Sequence, residues 1–313
     1  MNVLITGGCG YVGTKLTQAV LDRTPHNVTV LDTQWFGNHL PADRRLTVCA
    51  MDVRKIDEVD LSSFDTIFHL ANIANDPSVD LNPYSSWEVN VLAGMRLVDR
   101  AARQGVKQFI FASSSSVYGL KSEPRVTEDL ELFPLSEYNK TKMVAERVLL
   151  SYASDFVVQI VRPATVCGYS PRMRLDVSVN MLTMQALANR VITVFGGNQV
   201  RPNIHIDDIT DLYLFLLRKG AAVQGVYNAG FENISILDIA KRVTARVPAE
   251  IRITESNDPR SYRVNSDKLL ATGFRPKKTV DDAIAEIVDK VRGDSLRDED
   301  RFYNLRWMKR SAA

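Results

Sequence analysis

Residues Thr6 to Gly13 read TGGCGYVG, following directly on the apolar run Asn2–Thr6 and opening the helical pattern Tyr11–Asp22. A strand that turns through glycines into a helix presents unpaired N–H groups and a positive dipole end, an arrangement suited to a pyrophosphate. Gly7, Gly10 and Gly13 let the backbone approach such a ligand closely, with Tyr11 and Val12 sharing the turn. A glycine triplet alone also occurs where a turn merely packs. Here Asp32 follows the second apolar run, Asn27–Leu31, where an acid accepts hydrogen bonds from an adenosine ribose. A carboxylate there repels a 2′-phosphate, so NAD is expected in preference to NADP.

Outward from this turn, short β-branched runs alternate with amphipathic stretches. Strands are expected at Thr47–Met51, Thr66–Leu70, Gln108–Ser113 and Val157–Arg162, with helices at Tyr84–Gln104 and Glu137–Ser154. That alternation predicts an α/β fold: a Rossmann-type doubly wound parallel sheet with helices on both faces. Continuous runs such as VLIT, TIFHLA and FIFAS suit strands buried on both sides. Asp52 and Val53, past the third strand, could meet an adenine edge; the alternative is a helix cap or solvated turn. Ala71 and Asn72 follow the fourth strand, where the backbone would pass the cofactor phosphates, although packing alone explains Ala71 equally well.

Beyond Arg162 the pattern loosens. A helix near Val177–Asn189, a strand near Val191–Phe195, a helix over Asp207–Arg218 and a strand at Gly225–Ala229 are expected. A helical pattern resumes from Ser235, then come a strand at Ile251–Thr254 and a helix at Val280–Val291. The tail Asp298–Lys309 would place Phe302, Leu305 and Met308 on one helical face. With no internal repeat or low-complexity linker, residues 1–165 with 206–230 are expected to form the dinucleotide domain. Residues 166–205 with 231–313 would form a small α/β lobe that binds substrate and carries the tail helix.

Composition narrows the function classes. At 313 residues, 45% apolar and 24% charged, the chain is long enough for a large core. A net charge of +2 without a basic block favours neither nucleic acid nor an anionic membrane. The opening MNVLITGG lacks a signal peptide's apolar segment, and a cytoplasmic location is expected. Cys9, Cys49 and Cys167 form no CxxC pair, which favours reduced thiols. His26, His39, His69 and His205 show no ligand spacing, so no metal is expected.

The chemistry concentrates between Phe111 and Lys142. Tyr138 and Lys142 stand four apart in EYNKTK, which projects both from one helix face. A free phenol, with pKa about 10, is too weakly acidic to act as a base near neutrality. A neighbouring ammonium and a positively charged nicotinamide ring would stabilise the phenolate. Upstream, FASSSSVYG ends a strand with the hydroxyls Ser113, Ser114, Ser115 and Ser116.

Taken together, TGGCGYVG, HLAN at 69–72, SSSSVYG, YNKTK and RPATVCG resemble the extended short-chain dehydrogenase/reductase superfamily, in particular its nucleotide-sugar epimerase/dehydratase branch. The resemblance spans nearly the whole chain and keeps the family's order. It implies that Tyr138 takes a sugar hydroxyl proton, that Lys142 anchors the nicotinamide ribose, and that Ser114 is the catalytic hydroxyl. It also implies that Ser113 lies by the cofactor and that Ser115 and Ser116 extend toward substrate. Asn90 resembles the family asparagine beside the active site; a buried amide bonded only to backbone competes with a direct cofactor role.

In that branch the 4,6-dehydratases carry Asp-Glu directly after the catalytic hydroxyl residue, and decarboxylases carry Glu. Ser115 and Ser116 supply no carboxyl for either task. The resemblance therefore implies a C4 epimerase that oxidises its sugar transiently. The alternatives are a 4-dehydrogenase or 4-ketoreductase with net NAD turnover, or a catalytically silent NAD-binding scaffold. Asn180, Arg201 and Arg260 fall near family positions that contact the nucleoside diphosphate; a surface salt bridge is the competing role for each arginine. Thr165 stands where many members have Asn, which loosens any transfer of substrate identity, while Tyr169, Arg172 and Arg174 lie near the expected sugar pocket, the alternative being that their loop simply covers the lobe interface. The resemblance further implies a homodimer built on a four-helix interface, with the tail helix as an added contact.

Overall fold

Val3, Leu4 and Ile5 are wholly buried, so the first strand can lie only at the centre of a sheet covered on both faces. The computed structural model describes residues 1–256 and 261–311. Its strands are β1 (Asn2–Thr6), β2 (Asn27–Asp32), β3 (Leu46–Ala50), β4 (Thr66–His69), β5 (Gln108–Ala112), β6 (Val157–Pro163), β7 (Thr165–Cys167), β8 (Val191–Phe195), β9 (Val200–His205), β10 (Gly225–Ala229), β11 (Glu232–Ser235) and β12 (Glu250–Thr254). The α-helices are α1 (Tyr11–Arg23), α2 (Asp76–Val79), α3 (Pro83–Trp87), α4 (Ala93–Arg103), α5 (Glu137–Leu150), α6 (Ser178–Asn189), α7 (Ile206–Lys219), α8 (Ile236–Arg246), α9 (Asp267–Ala271), α10 (Val280–Arg292) and α11 (Asn304–Ser311).

Seven strands form one parallel sheet in the order β10-β6-β5-β4-β1-β2-β3. The order reverses beside β1, which opens a crevice at the carboxyl ends of the strands. On one face α1 and α7 bury Leu16, Val20, Leu212 and Leu216; on the other α4 and α5 bury Leu97, Ala101, Ala145 and Leu149. A third core joins α6, α8 and α10 through Leu182, Ile239, Val243 and Ile284, with Ile192 and Val194 of β8. The small sheets β11-β9-β7 and β12-β8 lie with it in the second half of the chain.

Three expected elements differ. The single helix over Tyr84–Gln104 is divided into α3, a π-helical turn at Glu88–Leu92, and α4. One extra residue in the turn re-aims the chain, here at Asn90. The helix beginning at Glu137 stops at Leu150, with Ser151 at its end. The tail is interrupted: a short 3₁₀ turn at Asp300–Phe302 precedes α11, with Tyr303 in extended conformation. Phe302 therefore enters the core shared with α1 and α7 while Met308 packs against the opposite one. Among the described residues, no helix is long and apolar enough to cross a membrane.

Candidate active site

The glycine turn is shaped for close approach. Gly7 has φ of 76°, and a Cβ on it would stand 2.6 Å from the backbone N of Ala71. A Cβ on Gly13 would collide with the Gly7 carbonyl, so this turn accepts no side chain at either place. Asp32 accepts from the N–H of Cys9 at 3.0 Å and of Gln34 at 2.7 Å, which ties the end of β2 to the turn. Burial raises the Asp32 carboxyl, and these two N–H donors oppose the shift. Gly7, Gly10, Asp32, Asp52, Val53, Ala71 and Asn72 line one cleft, together with Trp35 and Phe36. Asp52 lines this cleft and caps the next turn by accepting from Arg54 N at 2.8 Å. Tyr11 and Val12 begin α1; the Tyr11 hydroxyl donates to Gly168 O at 2.6 Å. The side chain of Tyr11 therefore faces the second half of the chain.

At the end of β5 the four serines part company. Ser114 Oγ acts on the Tyr138 phenol in the direction that favours its ionised form, and lies 2.7 Å from Ser116 Oγ. Ser116 donates on to Asn139 Oδ1 of α5 at 2.5 Å. Ser115, buried, lies 3.4 Å from the Tyr262 hydroxyl. Ser113 turns its side chain into the protein, where it donates to Glu146, and its N–H donates to Val161 O at 2.8 Å. Ser116 likewise secures α5 instead of extending outward. Both follow from α5, whose inner face offers Asn139 and Glu146 to the strand end.

Lys142 is 3% exposed and donates to Ala112 O at 2.7 Å, with its ammonium 4.9 Å from the Phe111 ring centre and 6.0 Å from that of Tyr138. Burial drives its pKa down to about 7, while Glu146 one turn further on favours the charged form. Burial also pushes the Tyr138 phenol up to about 12. Arg174 opposes this shift, and Ser114 acts in the same direction. Lys142 spends its charge on Ala112 and Phe111. His69 lies below, hydrogen-bonded to Thr6 Oγ1 at 2.7 Å, and burial followed by the Lys142 charge lowers it to about 3.

Asn90 is a staple. Its Oδ1 accepts from Ile73 N at 2.8 Å and its Nδ2 donates to Ile73 O and Thr141 Oγ1, both at 3.2 Å. It thus joins the cleft wall to α5, and both of its amide N–H groups are taken. Asn180 is also occupied: it accepts from Gly168 N at 3.0 Å and donates to Tyr11 OH at 3.1 Å and Arg174 O at 2.9 Å. Fully buried, it fastens the 168–174 loop, so the expected diphosphate contact has no free amide to make it. Thr165 opens β7, opposite Asn203 of β9, and Arg201 lies on β9 opposite Ile234. Arg260 lies outside the described residues.

Glu146 escaped the sequence reading, although the four-residue step that links Tyr138 to Lys142 leads on to it. It forms a buried ion pair with Arg162 at 2.6 Å, and Arg162 donates to the Tyr118 hydroxyl at 2.7 Å. Tyr118 in turn donates to Asn228 on β10 at 2.8 Å. Asn304, in the tail, was missed because its partners lie more than a hundred residues away.

The cleft fits a dinucleotide. Its glycines exclude side chains, Asp32 faces it, and among the described residues the buried Oδ1 of Asn72, which lines it, lacks a partner. Among the described residues there is no cluster of three or more metal-ligating side chains.

Comparison with known proteins agrees with this geometry. The model of the NAD dependent epimerase/dehydratase family matches residues 3–230. The uncharacterized UDP-glucose epimerase YtcB of Bacillus subtilis is 31% identical over 78% of this chain and 81% of its own length. The UDP-glucose 4-epimerase of Corynebacterium glutamicum is 29% identical over 89% of this chain and 92% of its own. The crystal structure of the Thermus thermophilus UDP-glucose 4-epimerase with NAD has a TM-score of 0.83 and 25% identity, covering 94% of this chain and 99% of that one.

Proposed function

The chain belongs to the NAD-dependent epimerase/dehydratase family, and on that premise we propose that it is a nucleotide-sugar epimerase acting at C4 by transient oxidation. The observation that carries this reading is the convergence of Ser114, Tyr138 and Lys142 at the end of β5, with no carboxyl in the serine run. NAD is held by Gly7, Gly10, Gly13 and Asp32, with Asp52, Val53 and Ala71 lining its cleft. Bound there, it supplies reversible hydride transfer at the sugar carbon.

Tyr138 takes the proton of the sugar O4 and later returns it, and Ser114 hydrogen-bonds the same oxygen and steadies the phenol. Arg174 and Ser114 lower the cost of phenolate against burial. Lys142, fixed on Ala112 O, keeps its ammonium beside the tyrosine ring for the cofactor ribose. Ser115 and Ser116 cannot divert the oxidised sugar toward water loss, because neither exchanges a proton near neutrality.

The division of labour extends to the chain as a whole. Residues 1–165 with 206–230 bind NAD, and 166–205 with 231–313 close over a nucleoside diphosphate sugar, with Thr165, Ser115, Arg201 and Arg260 as its candidate contacts. A homodimer through α4 and α5 is supported by the exposed Leu92 and Met95 on that face. The reading is tested with purified protein, a panel of nucleoside diphosphate sugars and NMR of the sugar protons. We expect C4 inversion without net NADH, and a fall of roughly 10²- to 10⁴-fold in Tyr138→Phe. Accumulating NADH would make it a dehydrogenase; no altered sugar, with Tyr138→Phe indistinguishable from wild type, would end the catalytic reading.

A further inference from the structure

The family match stops at residue 230, yet the last segment of the chain returns to the site. Leu175 N donates to Phe302 O at 2.8 Å, and Trp307 Nε1 donates to the carbonyl of Trp35, a cleft residue, at 2.5 Å. Between these contacts stands Asn304, 5% exposed. Its Oδ1 accepts from Arg172 at 2.6 Å, and its backbone N–H donates to Asp176 at 3.2 Å. One residue of the tail thus holds two arginine environments at once.

The first lies behind the dinucleotide cleft, against two residues that line it. Arg172 is 2% exposed, its guanidinium stacks 4.0 Å from the ring centre of Phe36, and it lies within electrostatic reach of Asp32. Phe36 and Asp32 both line the cleft. The carboxylates acting on Arg172 are otherwise engaged: Asp32 accepts from two backbone N–H groups, and Asp176 is paired with Arg174 at 2.9 Å. Among the described residues Arg172 Nε has no hydrogen-bond partner. A buried cation with an idle donor is costly unless an anion completes it. The second environment faces the reaction. Arg174 is the cation that opposes the burial shift of Tyr138, and Asp176, which orients it, also accepts from Asn75 at 3.1 Å.

We propose that the C-terminal segment completes the cofactor site, with Asn304 as a positioning residue that aims Arg172 at the NAD pyrophosphate and, through Asp176, steadies Arg174 beside Tyr138. Arg172 supplies the charge and the idle N–H that a phosphate oxygen takes, and planar guanidinium suits that partner. The proposal rests on NAD binding by this cleft and is independent of which sugar is turned over.

The test is calorimetric titration of nucleotide-stripped protein with NAD, which requires no sugar and is readable even if the sugar panel fails. Arg172→Met and Asn304→Ala should each weaken NAD binding, by roughly tenfold or more for the arginine and several-fold for the asparagine. The double variant should bind no more weakly than Arg172→Met alone, because Asn304 acts through Arg172. Trp307→Phe, which removes the hydrogen bond to the Trp35 carbonyl, should shift affinity in the same direction and serves if Asn304→Ala does not fold. Wild-type affinity in the single variants, or fully additive losses in the double variant, would overturn the proposal.

Discussion

Lys142 shows how much of this site depends on burial. Its pKa in the folded chain is about 7, against about 10.4 for an unperturbed lysine. Between these values the unfolded chain binds a proton that the folded chain lacks, so stability of the cofactor-free protein rises with pH across that window. Below about 7 both states are protonated and the penalty for burying the ammonium is present in full. Lys142→Met should abolish this contribution. Urea midpoints of wild type and variant, taken at about pH 6.5 and about pH 9, should therefore diverge in slope, the wild type gaining more toward alkaline pH. The buried thiols Cys9 and Cys167, raised by burial, work in the opposite direction but are common to both proteins and cancel in the comparison. Parallel pH profiles would show that the ammonium is better compensated than its burial implies.

At the scale of elements, the π-helical turn at Glu88–Leu92 is the feature that joins the cofactor wall to the catalytic helix. Asn90→Ala removes the bonds to both backbone groups of Ile73 and to Thr141, leaving a buried N–H unpaired. We expect a loss of about 2–4 kcal/mol in urea denaturation at unchanged m-value; a loss under about 0.5 kcal/mol would mean that water replaces the amide. The sequence carried Asn90 as a residue beside the site but could not display the turn, because one inserted residue hardly disturbs a helical hydrophobic pattern. Strands β1 to β6, the glycine turn and the Tyr138–Lys142 pair were legible, since period, glycine spacing and a four-residue step are local signals. Ser113 turning toward Glu146, Asn180 closing the 168–174 loop and Asn304 bridging to Arg172 were not legible. Each depends on a partner that only the folded chain brings near.

At the scale of the whole molecule, the face carrying α4 and the π-helical turn is open to another chain. Leu92 is 48% exposed and Met95 40% exposed, while Leu97, Val98 and Ala101 of the same helix are buried against the sheet. The tail helix meets its own chain through Trp307 at the Trp35 carbonyl and through Asn304 at Asp176. Apolar side chains on a helix that also flanks α5 suit a two-fold interface, in which each residue meets its symmetry counterpart or a neighbour of it. In the proposed dimer Met95→Glu would place two like charges at that apolar contact, at a cost of several kcal/mol. Size-exclusion chromatography with light scattering should give a dimer for the wild type and a monomer for Met95→Glu. The monomer should keep its NAD affinity, because Gly7 and Asp32 line a cleft formed within one chain, and Arg172 stacks on its Phe36. A wild-type monomer, or a variant that still dimerises, would move the interface away from this face.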